Sequence, residues 1–143
     1  MDENREAQKR SHRMNLLFPL ILILGVTLFS LLRGGGGSAV VTEIDSVNGV
    51  LGIANVTEST FLYLDDIQSV EYVRALDIGS PETSEEGTVR YFNEAYGSYL
   101  LYAYGDTPDF VVIHTADQTL AVSAKNETQT EKFYEELTAA LNG

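Results

Sequence analysis

The stretch Phe110–Leu141, FVVIHTADQTLAVSAKNETQTEKFYEELTAAL, decides the fold, because its apolar period changes partway along. Phe110–Thr115 and Leu120–Ala124 are apolar, β-branched runs separated by Ala116-Asp117-Gln118, which predicts two short strands joined by a turn. From Asn126 onward the period of two is lost. Phe133, Leu137 and Leu141 recur at i, i+4 and i+8, with Ala140 beside them and Tyr134 widening the stripe, so Asn126–Gly143 predicts an amphipathic helix. Asn126 or Thr128 caps its start, Thr128-Gln129-Thr130-Glu131 fits a capping box, and Asn142-Gly143 suits its end. One helix cannot bury such a stripe alone, so it must lie on a sheet or close one end of a barrel.

Upstream, the period stays at two as far back as Ala39. Further strands are predicted over Val40–Ile44, Asn48–Ala54, Thr60–Leu64, Ile67–Ala75, Thr88–Phe92 and Ser98–Tyr104, with turn residues such as Asp45-Ser46, Asp65-Asp66, Gly79-Ser80-Pro81 and Gly105-Asp106-Thr107-Pro108 between them. Both faces of the 98–104 run are apolar, which makes it a central strand. Ser80–Gly87 (SPETSEEG) reads as a polar, acidic loop. The expected fold is all-β with one C-terminal helix, an antiparallel barrel or sandwich over residues 39–143.

Residues 14–32 read differently. Met14–Leu32 (MNLLFPLILILGVTLFSLL) holds no charge over 19 residues. At about 1.5 Å per residue a helix of that length covers roughly 28 Å, close to the hydrocarbon thickness of a bilayer. Arg5, Lys9, Arg10 and Arg13 precede it and only Arg33 follows, which holds residues 1–13 in the cytoplasm and places the C-terminal domain outside. A cleaved signal peptide would share the basic start and apolar run, with Gly37-Ser38-Ala39 as a cleavage site. The length of the run and the position of Arg33 favour an uncleaved signal anchor. Residues 33–38 are a Gly-rich spacer. Its Gly34–Ser38 portion matches a native tether and an inserted fusion linker equally, and lacks the Lys-Ser/Thr of a phosphate loop.

The order of strands followed by a terminal helix resembles the pleckstrin-homology superfold, and more closely the bacterial PH domains of small membrane proteins. Four places carry the likeness: Leu64-Asp65-Asp66-Ile67-Gln68-Ser69-Val70 at the entry to a strand, Tyr96-Gly97-Ser98-Tyr99 opening another, the run Phe110–Asp117 with Leu120–Ser123 as a last hairpin, and Thr130–Leu137 in the terminal helix. The resemblance spans residues 48–142. It implies a PH-like fold and a binding role. Family members with two or more spanning helices can keep the domain inside the cell, and this chain shows one.

Charge excludes several partners. Lys plus Arg number 9 and Asp plus Glu 21, for a net charge of −12. Residues 1–33 carry five basic and three acidic side chains, a net +2, and residues 34–143 carry four basic and eighteen acidic ones, a net −14. Such a domain repels nucleic-acid phosphates. The phosphoinositide capture known for PH domains needs basic side chains on an early hairpin, and residues 45–66 hold no Lys or Arg, which argues against it. With no Cys and no pair of His at ligand spacing, no metal or cofactor site is expected.

No catalytic residue is assigned. Asp65-Asp66, Glu85-Glu86 and Glu135-Glu136 read as turn or solvated-surface pairs. His114 lies opposite Val111 and Ile113 on an apolar strand, with Ser98 and Ser123 as conceivable neighbours but no nucleophile motif around either. Tyr91, Tyr96, Tyr99, Tyr102 and Tyr104 crowd one segment, where core packing is the plainer role. Tyr102 and Tyr104 share a face and are the candidates for an exposed aromatic patch that binds a protein or glycan. The expectation is a non-enzymatic, single-pass, membrane-anchored module that binds a protein partner outside the cytoplasm. A small secreted or surface enzyme acting on glycan or wall substrates, and a cytoplasm-facing regulatory PH-like domain, are the alternatives.

Overall fold

The computed structural model describes residues 39–55, 58–83 and 89–143. The basic N-terminus, the apolar stretch 14–32 and the spacer 33–38 lie outside the described residues. Among the described residues, no helix is long and apolar enough to cross a membrane.

The chain is mostly β-sheet with one C-terminal helix. Strands β1 (Val41–Asp45), β2 (Val50–Ala54) and β3 (Ser59–Tyr63) form a three-stranded antiparallel meander. Asp45 bends the first hairpin: its carboxylate accepts from the Asn48 backbone N–H at 3.0 Å and from the Asn48 side chain at 2.7 Å. A 3-10 turn, Leu64–Asp66, then carries the chain into a second sheet. That sheet contains β4 (Ile67–Val73), β5 (Ser80–Thr83), β6 (Val89–Asn93), β7 (Gly97–Tyr102), β8 (Phe110–Thr115) and β9 (Thr119–Val122), in the order β4-β8-β9-β7-β6-β5. Helix α1 (Glu127–Asn142) follows.

Two details correct the expectations. Ser80–Thr83 is not loop but an edge strand, pairing Pro81 with Tyr91 and Glu82 with Arg90. Proline and acidic residues lower strand propensity, yet an edge tolerates both. The second sheet is also mixed, because β7 and β9 run parallel, with Leu100, Leu101 and Tyr102 opposite Leu120, Ala121 and Val122. After β7 the chain travels past the position that β9 later fills, lays down β8, and returns by a hairpin between them.

The main core lies between the small sheet, one face of the large sheet and α1. Leu51, Ile53 and Leu62 meet Leu100, Tyr102, Val111, Ile113, Leu120 and Val122, and Phe133 and Leu137 of α1 complete it. The helix stripe is as predicted, with Leu141 only half-buried. Its cap is Asn126, whose side chain accepts from Gln129 N–H at 2.8 Å. The Thr128–Glu131 capping box does not form, because with Asn126 as the cap Thr128 already lies inside the first turn; Thr130 turns inward, its hydroxyl donating to Asn126 C=O and accepting from Ala124 N–H at 3.0 Å.

The other face of the large sheet has its own core of Tyr99, Phe110, Val112 and Ala121. A strap formed by residues 74–79, joining β4 to β5, brings Leu76 and Ile78 against it. Buried Asp109 anchors the strap, accepting from Tyr72 hydroxyl at 2.8 Å and Ala75 N–H at 3.2 Å. Tyr99 hydroxyl donates to Ile78 C=O, and Asn93 donates to Asp77 C=O at 2.9 Å. The strap ends at Gly79, with φ of 77°, where a Cβ would sit 1.9 Å from the Phe92 carbonyl oxygen.

Gly79→Ala should therefore lower the urea midpoint far more than Gly49→Ala. Gly49 has φ of 70° but open space around it, so alanine there meets only the left-handed penalty of about 1–2 kcal/mol. Leu137→Ala, at 0% exposure, should cost about 2–5 kcal/mol by opening a cavity.

Candidate functional site

Where the chain changes sheets it leaves a gap. β3 is an edge of the small sheet, β4 is an edge of the large one, and the 3-10 turn spans the distance between them. A cleft of about 520 Å³ opens there, lined by Phe61, Leu62 and Tyr63 of β3, by Asp65, Asp66 and Gln68, and by Thr115–Gln118 of the β8–β9 turn. That volume falls within the ~300–1,000 Å³ range of ligand pockets. Three consecutive residues of a strand point to alternate faces. A cleft that touches all three runs along the strand's edge rather than over a face.

Both walls are fixed. Leu64 N–H donates to Gly49 C=O at 2.9 Å, holding the end of β3 against β2. On the other side Thr115 clamps the hairpin turn: its N–H donates to Gln118 C=O at 2.9 Å, and its hydroxyl donates to the same oxygen and accepts from Gln118 N–H at 3.1 Å. Asp65, Asp66 and Asp117 are exposed at the rim. The cleft thus combines apolar and aromatic walls with three solvated carboxylates, a surface that attracts cations.

A second constellation lies on the outer face of the large sheet. Glu71 of β4, with a side chain 47% exposed, receives a hydrogen bond from Tyr96 hydroxyl at 2.8 Å and pairs with His114 Nε2 at 2.8 Å. Thr119 hydroxyl lies 3.3 Å from His114 Nδ1, and the Tyr96 ring packs on the imidazole with centroids 5.5 Å apart. Burial pushes the Glu71 carboxyl up, but hydrogen bonds from His114 and Tyr96 and the imidazole charge outweigh it and hold the carboxyl below its ordinary value. Both imidazole nitrogens are engaged, so His114 works as a clasp between strands rather than as a base facing a substrate.

Tyr102 is fully buried, its hydroxyl 2.5 Å from Thr60 Oγ1, and so presents no surface to a partner. This corrects the expected patch: β7 is covered on that face by the small sheet. Tyr104 lies beyond β7, half-buried against the main core, with its N–H donating to Ser123 hydroxyl at 2.7 Å. Tyr91, Tyr96 and Tyr99 pack together, with Tyr99 6.4 Å from Tyr91 and 6.2 Å from Tyr96, as cross-strand aromatics do. Glu135 and Glu136 are exposed on α1, and Glu85-Glu86 lie outside the described residues. The hydrogen-bond partners of His114 are Glu71 and Thr119; Ser98 instead donates to Glu82 at 3.0 Å. Among the described residues there is no group of three or more His, Cys, Asp or Glu that could hold a metal ion.

Sequence reasoning missed the Glu71–Tyr96–His114 network because its members are 25 and 43 positions apart. It missed the cleft because the gap depends on which strands pair. The one available signal was Asp65-Asp66, read as a turn, which marks the change of sheet. No protein-family model matches the chain, and no curated protein or solved structure is significantly similar to it.

Two titrations test these networks. Burial first, and then the Asp109 hydrogen bond and charge, push the Tyr72 hydroxyl up to about 12; burial and Glu71 do the same to Tyr96, and burial with the Asp77 charge to Tyr99. These raised values give stability that is intact below the ordinary phenol pKa of about 10 and is lost as pH climbs toward 12. Ultraviolet phenolate titration should show at least these three tyrosines ionising late, together with unfolding. Glu71 has the opposite sign: its depressed value gives stability present above the ordinary carboxyl range and lost as pH falls through it. Glu71→Gln should flatten the acid limb of the pH–stability curve, by well under about 1 kcal/mol because the group is half exposed.

Proposed function

We propose that the chain is a membrane-anchored binding or assembly module whose PH-like domain takes a protein partner outside the cytoplasm. Residues 14–32 supply the anchor, through contact with the lipid bilayer. The spacer 33–38 spans at most about 3.3–3.6 Å per residue, so the domain stays close to the membrane surface. An acidic domain held there is pushed off anionic headgroups rather than onto them, which favours a partner in solution or on a neighbouring protein over a lipid ligand.

The observation that carries the proposal is the cleft beside β3. It is concave, its walls are pinned by backbone hydrogen bonds, and it offers apolar contact and charge together. Support for the PH-like likeness comes from the order of strands followed by a helix that closes the core. The parallel β7–β9 pair is outside an all-antiparallel plan, so the likeness extends to the order of elements and not to the sheet topology. A glycan hydrolase would need one carboxyl sheltered enough to hold its proton opposite a second carboxylate. Asp65, Asp66 and Asp117 stand instead at the exposed rim, an arrangement that favours recognition over proton transfer.

Protease added to intact cells should digest the domain while leaving the N-terminal segment protected. Full protection of the domain would place it in the cytoplasm and replace this topology with that of a cytoplasm-facing regulator. Affinity capture of the full chain from detergent-solubilised membranes should recover a protein partner in fixed stoichiometry. Recovery of the chain alone, under conditions that keep membrane complexes intact, would count against a binding role.

A further inference from the structure

We propose that the β3 edge accepts an extended, basic peptide segment as an added strand, lying in the cleft with its cationic side chains toward Asp65, Asp66 and Asp117. The proposal rests on the binding-module reading and names the chemistry of the partner.

Among the described residues the two sheets end in four edge strands: β1 and β3 on the small sheet, β4 and β5 on the large one. Proteins guard such edges with charge or proline, since unpaired backbone groups invite another strand. β1 carries Glu43 and Asp45, β4 carries Glu71, and β5 carries Pro81 and Glu82. β3 reads Ser-Thr-Phe-Leu-Tyr and has neither. It is also the strand along which the cleft runs.

The backbone register provides the hydrogen bonds. Leu64 N–H bonds to Gly49 C=O, and pairing in an antiparallel ladder alternates. With Leu51 opposite Leu62 and Ile53 opposite Thr60, the even-numbered residues Thr60, Leu62 and Leu64 therefore face β2. Ser59 and Phe61 turn their N–H and C=O groups the other way, away from β2, and Phe61 does so where it lines the cleft. A strand laid there gains main-chain bonds at alternate positions, and its side chains alternate in direction. Those on one side meet the apolar wall. Those on the other meet the carboxylate rim, which sets the sign of the charge they must carry. The charge of −14 on residues 34–143 adds long-range attraction for a basic segment.

The test uses the full chain in neutral detergent micelles and a short fluorescein-labelled peptide alternating arginine with valine, followed by fluorescence anisotropy. The arginine peptide should bind, and its glutamate counterpart should not. N-methylating the peptide on alternate residues removes the donors an added strand needs, and should weaken binding about tenfold or more. Asp65→Asn, Asp66→Asn and Asp117→Asn together should weaken it about fivefold or more and reduce its salt dependence. Glu135→Gln with Glu136→Gln, on the solvent face of α1, should leave it unchanged. Binding that ignores N-methylation, or an equal loss from the α1 variant, would overturn the proposal, as would no binding of the arginine peptide. The methylation comparison uses the unaltered protein, so it decides the matter even if the triple variant unfolds. If a partner captured from membranes stays bound to the triple variant and the peptide does not displace it, the binding module stands and this site falls.

Discussion

The β8–β9 hairpin is buried on both faces, and the rest of the domain is arranged to keep it so. Val111, Ile113, Leu120 and Val122 face the small sheet and α1; Phe110, Val112 and Ala121 face the strap. All seven are at most 1% exposed. Burying a large aliphatic or aromatic side chain is worth about 1.5–3 kcal/mol, so this hairpin concentrates much of the driving force in two short strands. Neither cover is optional. Removing α1 would expose Phe133's and Leu137's partners, and releasing the strap would expose Tyr99 and Phe110. The long path from one edge of the large sheet to the other, made by residues 74–79, follows from the same demand.

Each cover is fastened by polar groups that would be costly to bury unsatisfied. Asp109, Asn93, Ser123 and Thr130 are buried and each has a hydrogen-bond partner. Among the described residues no buried side-chain nitrogen or oxygen lacks a partner. Tyr102 does the same between the sheets. Its ring fills the main core while its hydroxyl meets Thr60 of β3, tying the strand beside the cleft to the centre of the large sheet. A partner that pulled on β3 would be pulling on the core, which lets β3 serve as a rigid edge rather than a loose flap.

How much of this could be read beforehand depends on the range of the interaction involved. The α1 stripe and eight of the nine strands among the described residues are written in local periodicity, and the structure has them within a few residues. β5 was hidden because Pro81 and Glu82 are poor strand formers in isolation, and only its edge position makes them acceptable. The parallel β7–β9 pairing has no local signal, since it depends on where the chain passes after Tyr102. The aromatic run at 91–104 was legible as core packing, but not which of its members the core takes. Alternation put Tyr102 and Tyr104 on one face and could not say that the small sheet covers it. For the same reason the clasp at Glu71 and the cleft at Phe61 emerge only once strands far apart in sequence are set side by side.

The acidic balance of the domain and the uncharged edge of β3 bear on one another. An uncharged edge strand ordinarily invites self-association, because a second copy could pair its own β3 in antiparallel register. Here each copy brings Asp65, Asp66 and Asp117 to the same place, and residues 34–143 carry −14 overall. Two such edges meeting would set like carboxylates against each other, a repulsion strongest in low salt and near a surface that concentrates the copies. The carboxylates therefore protect the edge from its own kind without occupying it. The barrier is selective: it rises for acidic strands, is absent for neutral ones and turns to attraction for basic ones, so the carboxylates that oppose self-pairing would favour the basic segment proposed for this edge.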